Sequence, residues 1–223
     1  MKRILSLVLA AALLLSLACA AGEEKDTAQY WRETLQHYRY DDSVQQLLFV
    51  RCTGGRSAVS QFYVKLPEEN NAWTLVFTDD SYIGKNGLGK TKEGDAMTPI
   101  GDFGIRTAFG IRNDPGTALP YLSITPSIFA CDEECEFYNQ IIDTAAIDHS
   151  CTGEEMYKYS PEYNYGIETD FNPDNQLGLG SAIFVHCKGA KPFTGGCVAL
   201  DEDHMRIVLQ MAQPGMRIVI NEN

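Results

Sequence analysis

Positive charge is scarce beside negative charge in this sequence: 18 Lys and Arg stand against 30 Asp and Glu in 223 residues, a formal charge of −12. Nucleic-acid binding draws its affinity from clustered basic side chains that release counterions from phosphates, so that class is excluded, and anionic membrane surfaces with it. Long apolar runs are also missing after the first twenty residues; no later stretch approaches the roughly 18 apolar residues of a spanning helix. There is no internal repeat and no low-complexity tract, which excludes a solenoid or a linker-like chain. What remains, 44% hydrophobic and 22% charged, is the composition of a globular protein.

The N-terminus has its own logic. Lys2 and Arg3 precede an apolar run from Ile4 to Leu17, which ends in Ala18-Cys19-Ala20. This pattern predicts a signal peptide over 1–20, cleaved after Ala20, and a secreted or cell-wall/periplasmic protein without an integral membrane segment after cleavage. Lipid attachment at Cys19 calls for an aliphatic residue three positions earlier, where Ser16 stands, so free secretion is favoured over a lipoprotein. Loss of Lys2 and Arg3 leaves 16 basic and 30 acidic side chains, a formal charge of −14. Residues 21–46 are polar and form an N-terminal extension, with an amphipathic helix predicted from Thr27 to Tyr40 carrying Tyr30, Trp31, Leu35 and Tyr38.

From Leu47 the pattern changes to short β-type runs bounded by Gly, Asn, Asp and Pro, so 47–223 reads as one mainly β domain. Strands are predicted over Leu47–Cys52, Gln61–Leu66, Trp73–Thr78, Phe103–Phe109, Tyr121–Ile124, Tyr163–Thr169, Ala182–Cys187 and Met216–Ile220. One later helix has a start signal. Asp201 is its expected N-cap, Met205, Val208, Leu209 and Ala212 lie on one face, and Pro214-Gly215 stops it. His37 and His149 show no partner pattern and read as surface or loop residues.

Six cysteines remain after Cys19. In an oxidising compartment an even count suggests disulfides, and the expected division is two among Cys52, Cys131, Cys135 and Cys151, in any of three connectivities, with Cys187 and Cys197 as thiols. Residues 84–91, Gly-Lys-Asn-Gly-Leu-Gly-Lys-Thr, satisfy the phosphate-loop pattern. A phosphate loop must open a helix, however, and Gly94, Pro99, Gly101 and Gly104 forbid one here, so no nucleotide is expected.

The chemically informative segment runs from Ile183 to Leu200. His186 ends a β run, a Gly/Pro-containing loop follows, and Thr194-Gly195-Gly196-Cys197 leads into another apolar stretch. A cysteine nucleophile needs a base to take its proton and small neighbours that let a carbonyl approach, and His186, Gly195 and Gly196 are of the right kinds. The amides of Gly196 and Cys197 are the natural oxyanion donors, with Thr194 ordering the turn. Read without further context, Cys197 is equally a buried structural cysteine. Strand alternation puts Cys187 on the face opposite His186, hence in packing. Zinc on His186, Cys187, Cys197 and His204 is disfavoured, since adjacent ligands on opposite faces of a strand cannot converge. Asp201, Glu202 and Asp203 read as a helix start, and Tyr157, Tyr163 and Tyr165 as either a groove lining or sheet packing.

Two segments read together resemble a known family. Val185-His186 with Thr194-Gly195-Gly196-Cys197-Val198, and Gly89-Lys90 with Gly94-Asp95-Ala96-Met97-Thr98-Pro99-Ile100-Gly101-Asp102-Phe103, are similar to the motifs of L,D-transpeptidase (YkuD) catalytic domains. The closing Pro214-Gly215 and Met216–Ile220 fit the same pattern, so the resemblance spans roughly 73–221. It implies a YkuD-like β-sandwich with one or two short helices and an exported bacterial cell-wall enzyme. It also implies that Cys197 attacks a peptidoglycan stem peptide with His186 as base, releasing a terminal D-amino acid and forming a 3→3 cross-link. Gly195, Lys188 and Tyr165 are the expected substrate contacts, and no metal or organic cofactor is implied. Gly195 and Ala199 stand where many members carry His and Arg or Asn, leaving Lys188, Lys191 and Arg206 as candidate cations. Two alternatives stay open: a carboxypeptidase or endopeptidase on the same stems, and a non-catalytic wall-binding module.

Overall fold

In the computed structural model, which describes residues 27–148 and 153–222, most of the apolar runs become strands of one sheet. The expected signal peptide, His149 and Cys151 lie outside the described residues. The first hairpins are β1 (Gln46–Gly54), β2 (Ser57–Leu66) and β3 (Ala72–Tyr82), followed by β4 (Gly101–Phe103), β5 (Ile105–Gly110) and β6 (Tyr121–Ser123). A small second sheet comprises β7 (Ile128–Cys131), β8 (Ile141–Asp143) and β9 (Gly153–Glu155). The chain returns to the main sheet with β10 (Gly166–Thr169), β11 (Phe184–Cys187), β12 (Val198–Leu200) and β13 (Arg217–Asn221). The main sheet has ten strands in the order β4-β13-β1-β2-β3-β12-β11-β10-β5-β6, and the small one the order β8-β7-β9. The architecture is mainly β, as expected.

Strands far apart in that order share one core. Leu48, Val50, Phe62, Ile218 and Ile220 from one end pack with Ala108, Ile167 and Val185 from the other, so the sheet curls until its two halves face each other. Helix α2 (Glu202–Met211) closes this core with Met205, Val208 and Leu209, the stripe its spacing predicted. On the outer side, α1 (Thr27–Tyr38) covers Leu47, Phe49 and Val219. Trp31 stacks on Phe49 at 4.8 Å, Trp73 Nε1 donates to the Leu35 carbonyl at 2.8 Å and Tyr38 donates to Asp102 at 2.7 Å. Both faces of β1 are therefore covered, which is why Leu47 to Val50 is a continuous apolar run and not an alternating one.

Several expectations need correction. The run Phe103–Phe109 breaks at Gly104, whose amide donates to Asp170 at 2.8 Å, so that β4 and β5 pair with β13 and β10 respectively. Tyr163 lies in a short 3₁₀ turn, Glu162–Asn164, and β10 starts only at Gly166. Strands β7, β8, β9 and β12 were not foreseen; three or four residues are too few to display a period of two. The two-disulfide arrangement fails at Cys52, which is a thiol at the tip of the β1–β2 hairpin, on a different sheet from Cys131. Cys135 is disulfide-bonded and its Sγ lies 3.3 Å from Cys131 Sγ, while Cys187 and Cys197 are thiols. Asp201 stands at the N-cap of α2, but its side chain does not cap the helix and is engaged elsewhere.

Candidate active site

Strands β11 and β12 run parallel, with His186 opposite Ala199 and Cys187 opposite Leu200. Paired residues share a face and alternate along each strand, so His186, Ala199, Phe184 and Cys197 face one way while Cys187 and Leu200 face the main core. Cys187 is fully buried there, its thiol donating to the Tyr165 carbonyl at 3.4 Å. Burial pushes that thiol up to about 12.

His186 Nδ1 lies 2.7 Å from the Cys187 carbonyl oxygen. A carbonyl only accepts, so Nδ1 carries the proton and Nε2 keeps its lone pair, the tautomer a general base requires. Tyr163 meets the imidazole edge-on at 5.4 Å. Burial of the ring lowers its pKa, keeping it neutral.

The Cys197 thiol is turned away from this base. Sγ donates to the Ala182 carbonyl at 3.2 Å and accepts the Phe184 amide at 3.3 Å. Burial, and next the Glu154 carboxylate, push it up to about 12, against the Phe184 amide and the Lys90 ammonium. The side chain sits in a satellite apolar cluster with Phe109, Met156, Tyr163 and Phe184, which the small sheet helps to build through Ile128 and Ala130.

Backbone geometry around the thiol is set by two hydroxyls. Thr194 Oγ1 donates to the Cys197 carbonyl at 2.6 Å and accepts the Gly196 amide at 3.1 Å. Buried Thr98 Oγ1 donates to the same carbonyl at 3.3 Å and accepts the Gly84 amide at 2.8 Å. At Gly196 any Cβ would stand 2.9 Å from the Met97 carbonyl oxygen, so only glycine lets these segments touch. The false phosphate loop is thus the wrapping of the cysteine loop. No helix follows it, and Lys90 ion-pairs with Asp95 at 3.1 Å. Burial would raise the Asp95 carboxyl, but the amides of Thr91, Met97 and Lys92, with Lys90, hold it at about 2.

Beside His186 opens a cavity of about 310 Å³, lined among others by Glu154, Tyr163, Gly195 and Ala199. Of the expected substrate contacts, Gly195 is there. Lys188 is not: its Nζ lies 2.9 Å from both Asp79 Oδ1 and Asp201 Oδ1. Asp79 also accepts the Asp201 amide at 2.9 Å and pairs with His204 Nδ1 at 2.7 Å, so Lys188 is the cation of a closed structural network. Asp79, Asp201 and His204 lie close enough together to ligate a metal ion, but the Lys188 ammonium already occupies the space between the two carboxylates. Tyr165 packs against the main core and Tyr163 lines the cavity in its place. Arg206 pairs with Asp203 at 3.4 Å, whereas Lys191 lies on the cavity wall. Lys90, Thr98 and Glu154 escaped the sequence reading; the first two stood in plain view inside the upstream motif.

A family model described as the L,D-transpeptidase catalytic domain, YkuD, matches residues 62–220. No curated protein matches by sequence. Among solved structures, a mutant of the helical cell shape determining protein Pgp2 from Campylobacter jejuni is similar at 16% identity and a TM-score of 0.45, over 82% of this chain and 48% of that one. An L,D-transpeptidase from Mycobacterium smegmatis is similar at 11% identity and 0.38, over 79% and 58%, and a mutant Enterococcus faecium L,D-transpeptidase at 11% and 0.40, over 79% and 50%. The chain spans about half the length of these structures.

Proposed function

The chain belongs to the YkuD family of L,D-transpeptidase catalytic domains, and from that premise we propose that it is an exported enzyme in which Cys197 carries out acyl transfer on peptidoglycan stem peptides. The observation that supports this most is the register of β11 and β12. It puts His186 opposite Ala199, and alternation carries Cys197, two residues before Ala199, to the same face, while His186 lines the cavity.

In the proposed reaction a bound stem draws the thiol away from the Ala182 carbonyl. Nε2 of His186 takes the proton as Sγ attacks the carbonyl carbon before the terminal D-residue, so no free thiolate accumulates. The Cys197 and Gly196 amides hold the oxyanion, the latter exchanging its bond to Thr194 Oγ1 for the new one. His186 then returns the proton to the departing amine, leaving a thioester. An amine of a second stem resolves it to a 3→3 cross-link, and water resolves it to the trimmed stem. Thr194 and Thr98 position the Cys197 carbonyl, and Lys90 adds positive potential where negative charge develops.

Intact-mass spectrometry of the protein with a tetrapeptide stem tests this. Expected is an adduct at Cys197 with loss of the terminal D-residue, absent in Cys197→Ala and strongly slowed in His186→Ala. Unchanged substrate with no adduct refutes the reading and leaves a wall-binding module.

A further inference from the structure

One side chain in the cavity is unsuited to the first half of that reaction. Glu154, on β9, is half-buried, lines the cavity beside His186 and accepts a hydrogen bond from Tyr163. Lys85 and Lys191 line the same cavity, yet among the described residues Glu154 forms no ion pair, and Asp132 and Glu93 act on it as like charges. Burial, with that crowding, raises its pKa, against the hydrogen bond from Tyr163. It also disfavours charge on Cys197. A half-buried carboxylate without an ion pair carries a desolvation cost, and retaining one beside a nucleophile that must bear negative charge works against acylation.

The second substrate removes the contradiction. Cys197 lies on the same face as His186, so the cavity that His186 lines is the space from which a group resolving a thioester on Cys197 would come, with Nε2 as the proton acceptor since Nδ1 is held by the Cys187 carbonyl. Ala199 contributes only a methyl group to that cavity, and at Gly195 nothing lies within 4 Å of where a Cβ would be, so space is left for an incoming group. At neutral pH an amine arrives as an ammonium ion and supplies the charge that Glu154 lacks; water supplies none. Glu162 stands on the same wall, its carboxylate against Gly189.

We propose that Glu154 is the specificity-determining residue for the acceptor, holding an acceptor amine as its ammonium ion beside His186, with Tyr163 as the positioning residue for its carboxylate. This deepens the acyl-transfer reading above and rests on it. The ammonium releases one proton to solvent. The nitrogen lone pair then forms the C–N bond as the C–S bond breaks, its electron pair going to Sγ. The remaining excess proton passes through His186 to Sγ, so amide and thiol are the products.

The test is the partition of the thioester between transfer and hydrolysis, read by mass spectrometry with D-leucine or the matched D-2-hydroxyisocaproate as acceptor. In the native protein transfer to D-leucine exceeds transfer to the hydroxy acid. Glu154→Gln is expected to lower the D-leucine partition at least tenfold while leaving the hydroxy-acid partition unchanged. Glu154→Asp restores part of the loss, and Tyr163→Phe gives an intermediate one. A merely structural role would slow both acceptors and water together and leave the partition where it was. An unchanged partition in Glu154→Gln, with the thioester still formed, overturns the proposal alone; no thioester in the native protein overturns the acyl-transfer reading and the proposal with it. Should Glu154→Gln not fold, calorimetry on Cys197→Ala with D-leucine and N-acetyl-D-leucine decides. Weaker binding of the acetylated form supports the assignment, and equal binding refutes it.

Discussion

The resting thiol of Cys197 should be unusually inert, and the degree can be worked out. A thiol pushed to about 12 is ionised in about one part in ten thousand at pH 8, whereas free cysteine, with a pKa of about 8.5, is ionised in about a quarter. Since the thiolate is the reacting species, alkylation of Cys197 by iodoacetamide at pH 8 should run about a thousandfold slower than that of N-acetylcysteine, before any further slowing by burial. The assay is a pH series of timed iodoacetamide exposures, quenched and read by peptide mass spectrometry, with Cys187, pushed equally high, as the internal control. The rate at Cys197 should climb tenfold per pH unit through pH 10 without levelling. An addition of tetrapeptide stem should acylate the same thiol within a time in which iodoacetamide does nothing. Rapid alkylation near neutral pH with a titration midpoint below about 8 would show a resting thiolate paired with His186 and would refute the geometry that hands the thiol to Ala182.

Three further outcomes follow from the same contacts. Thr98→Val leaves the Gly84 amide buried without its acceptor, which costs about 1–3 kcal/mol and about 2–12 °C in Tm for a chain of this size, measured by thermal melting; acylation of Cys197 should slow as well. Asp79→Asn strips the charge that holds Lys188 and His204, a loss of about 3–5 kcal/mol in urea unfolding, and a value below about 1 kcal/mol would show the network to be incidental. Because burial lowers the His186 pKa, its neutral form persists below the usual value of about 6.5, so the acid limb of kcat/KM for stem acylation should fall below that pH; a limb above it would contradict the assignment of His186 as the buried base.

What could be seen in the sequence was whatever depended on local period. Alternation along Phe184–Cys187 put His186 and Cys187 on opposite faces, and helical spacing placed Met205, Val208 and Leu209 inward. What was hidden depended on distant partners. Lys188 looked available because Asp79, which holds it, lies 109 residues away, and Asp201 looked like a cap because its amide's acceptor is that same Asp79. On an unbroken strand Tyr163 and Tyr165 would share a face, but the 3₁₀ turn at Glu162–Asn164 separates them, leaving Tyr163 at the cavity and Tyr165 against the main core. Glu154 belongs to a three-residue strand with no periodicity of its own, and Lys90 was absorbed into a motif resembling a phosphate loop.

The position of β13 governs how such a chain can come to be folded. The final strand is not at an edge but lies between β4 and β1, parallel to β1, with Leu47 to Arg51 matched to Arg217 to Asn221. Until those residues are present, two neighbouring strands stand with unpaired backbone, and Leu48 and Val50 lack Ile218 and Ile220 to pack against. The contacts that complete the sheet join the first strand of the domain to β13, a pairing of high sequence separation. The main sheet is therefore closed by contacts between segments about 170 residues apart, and pairing of this separation is slow to form.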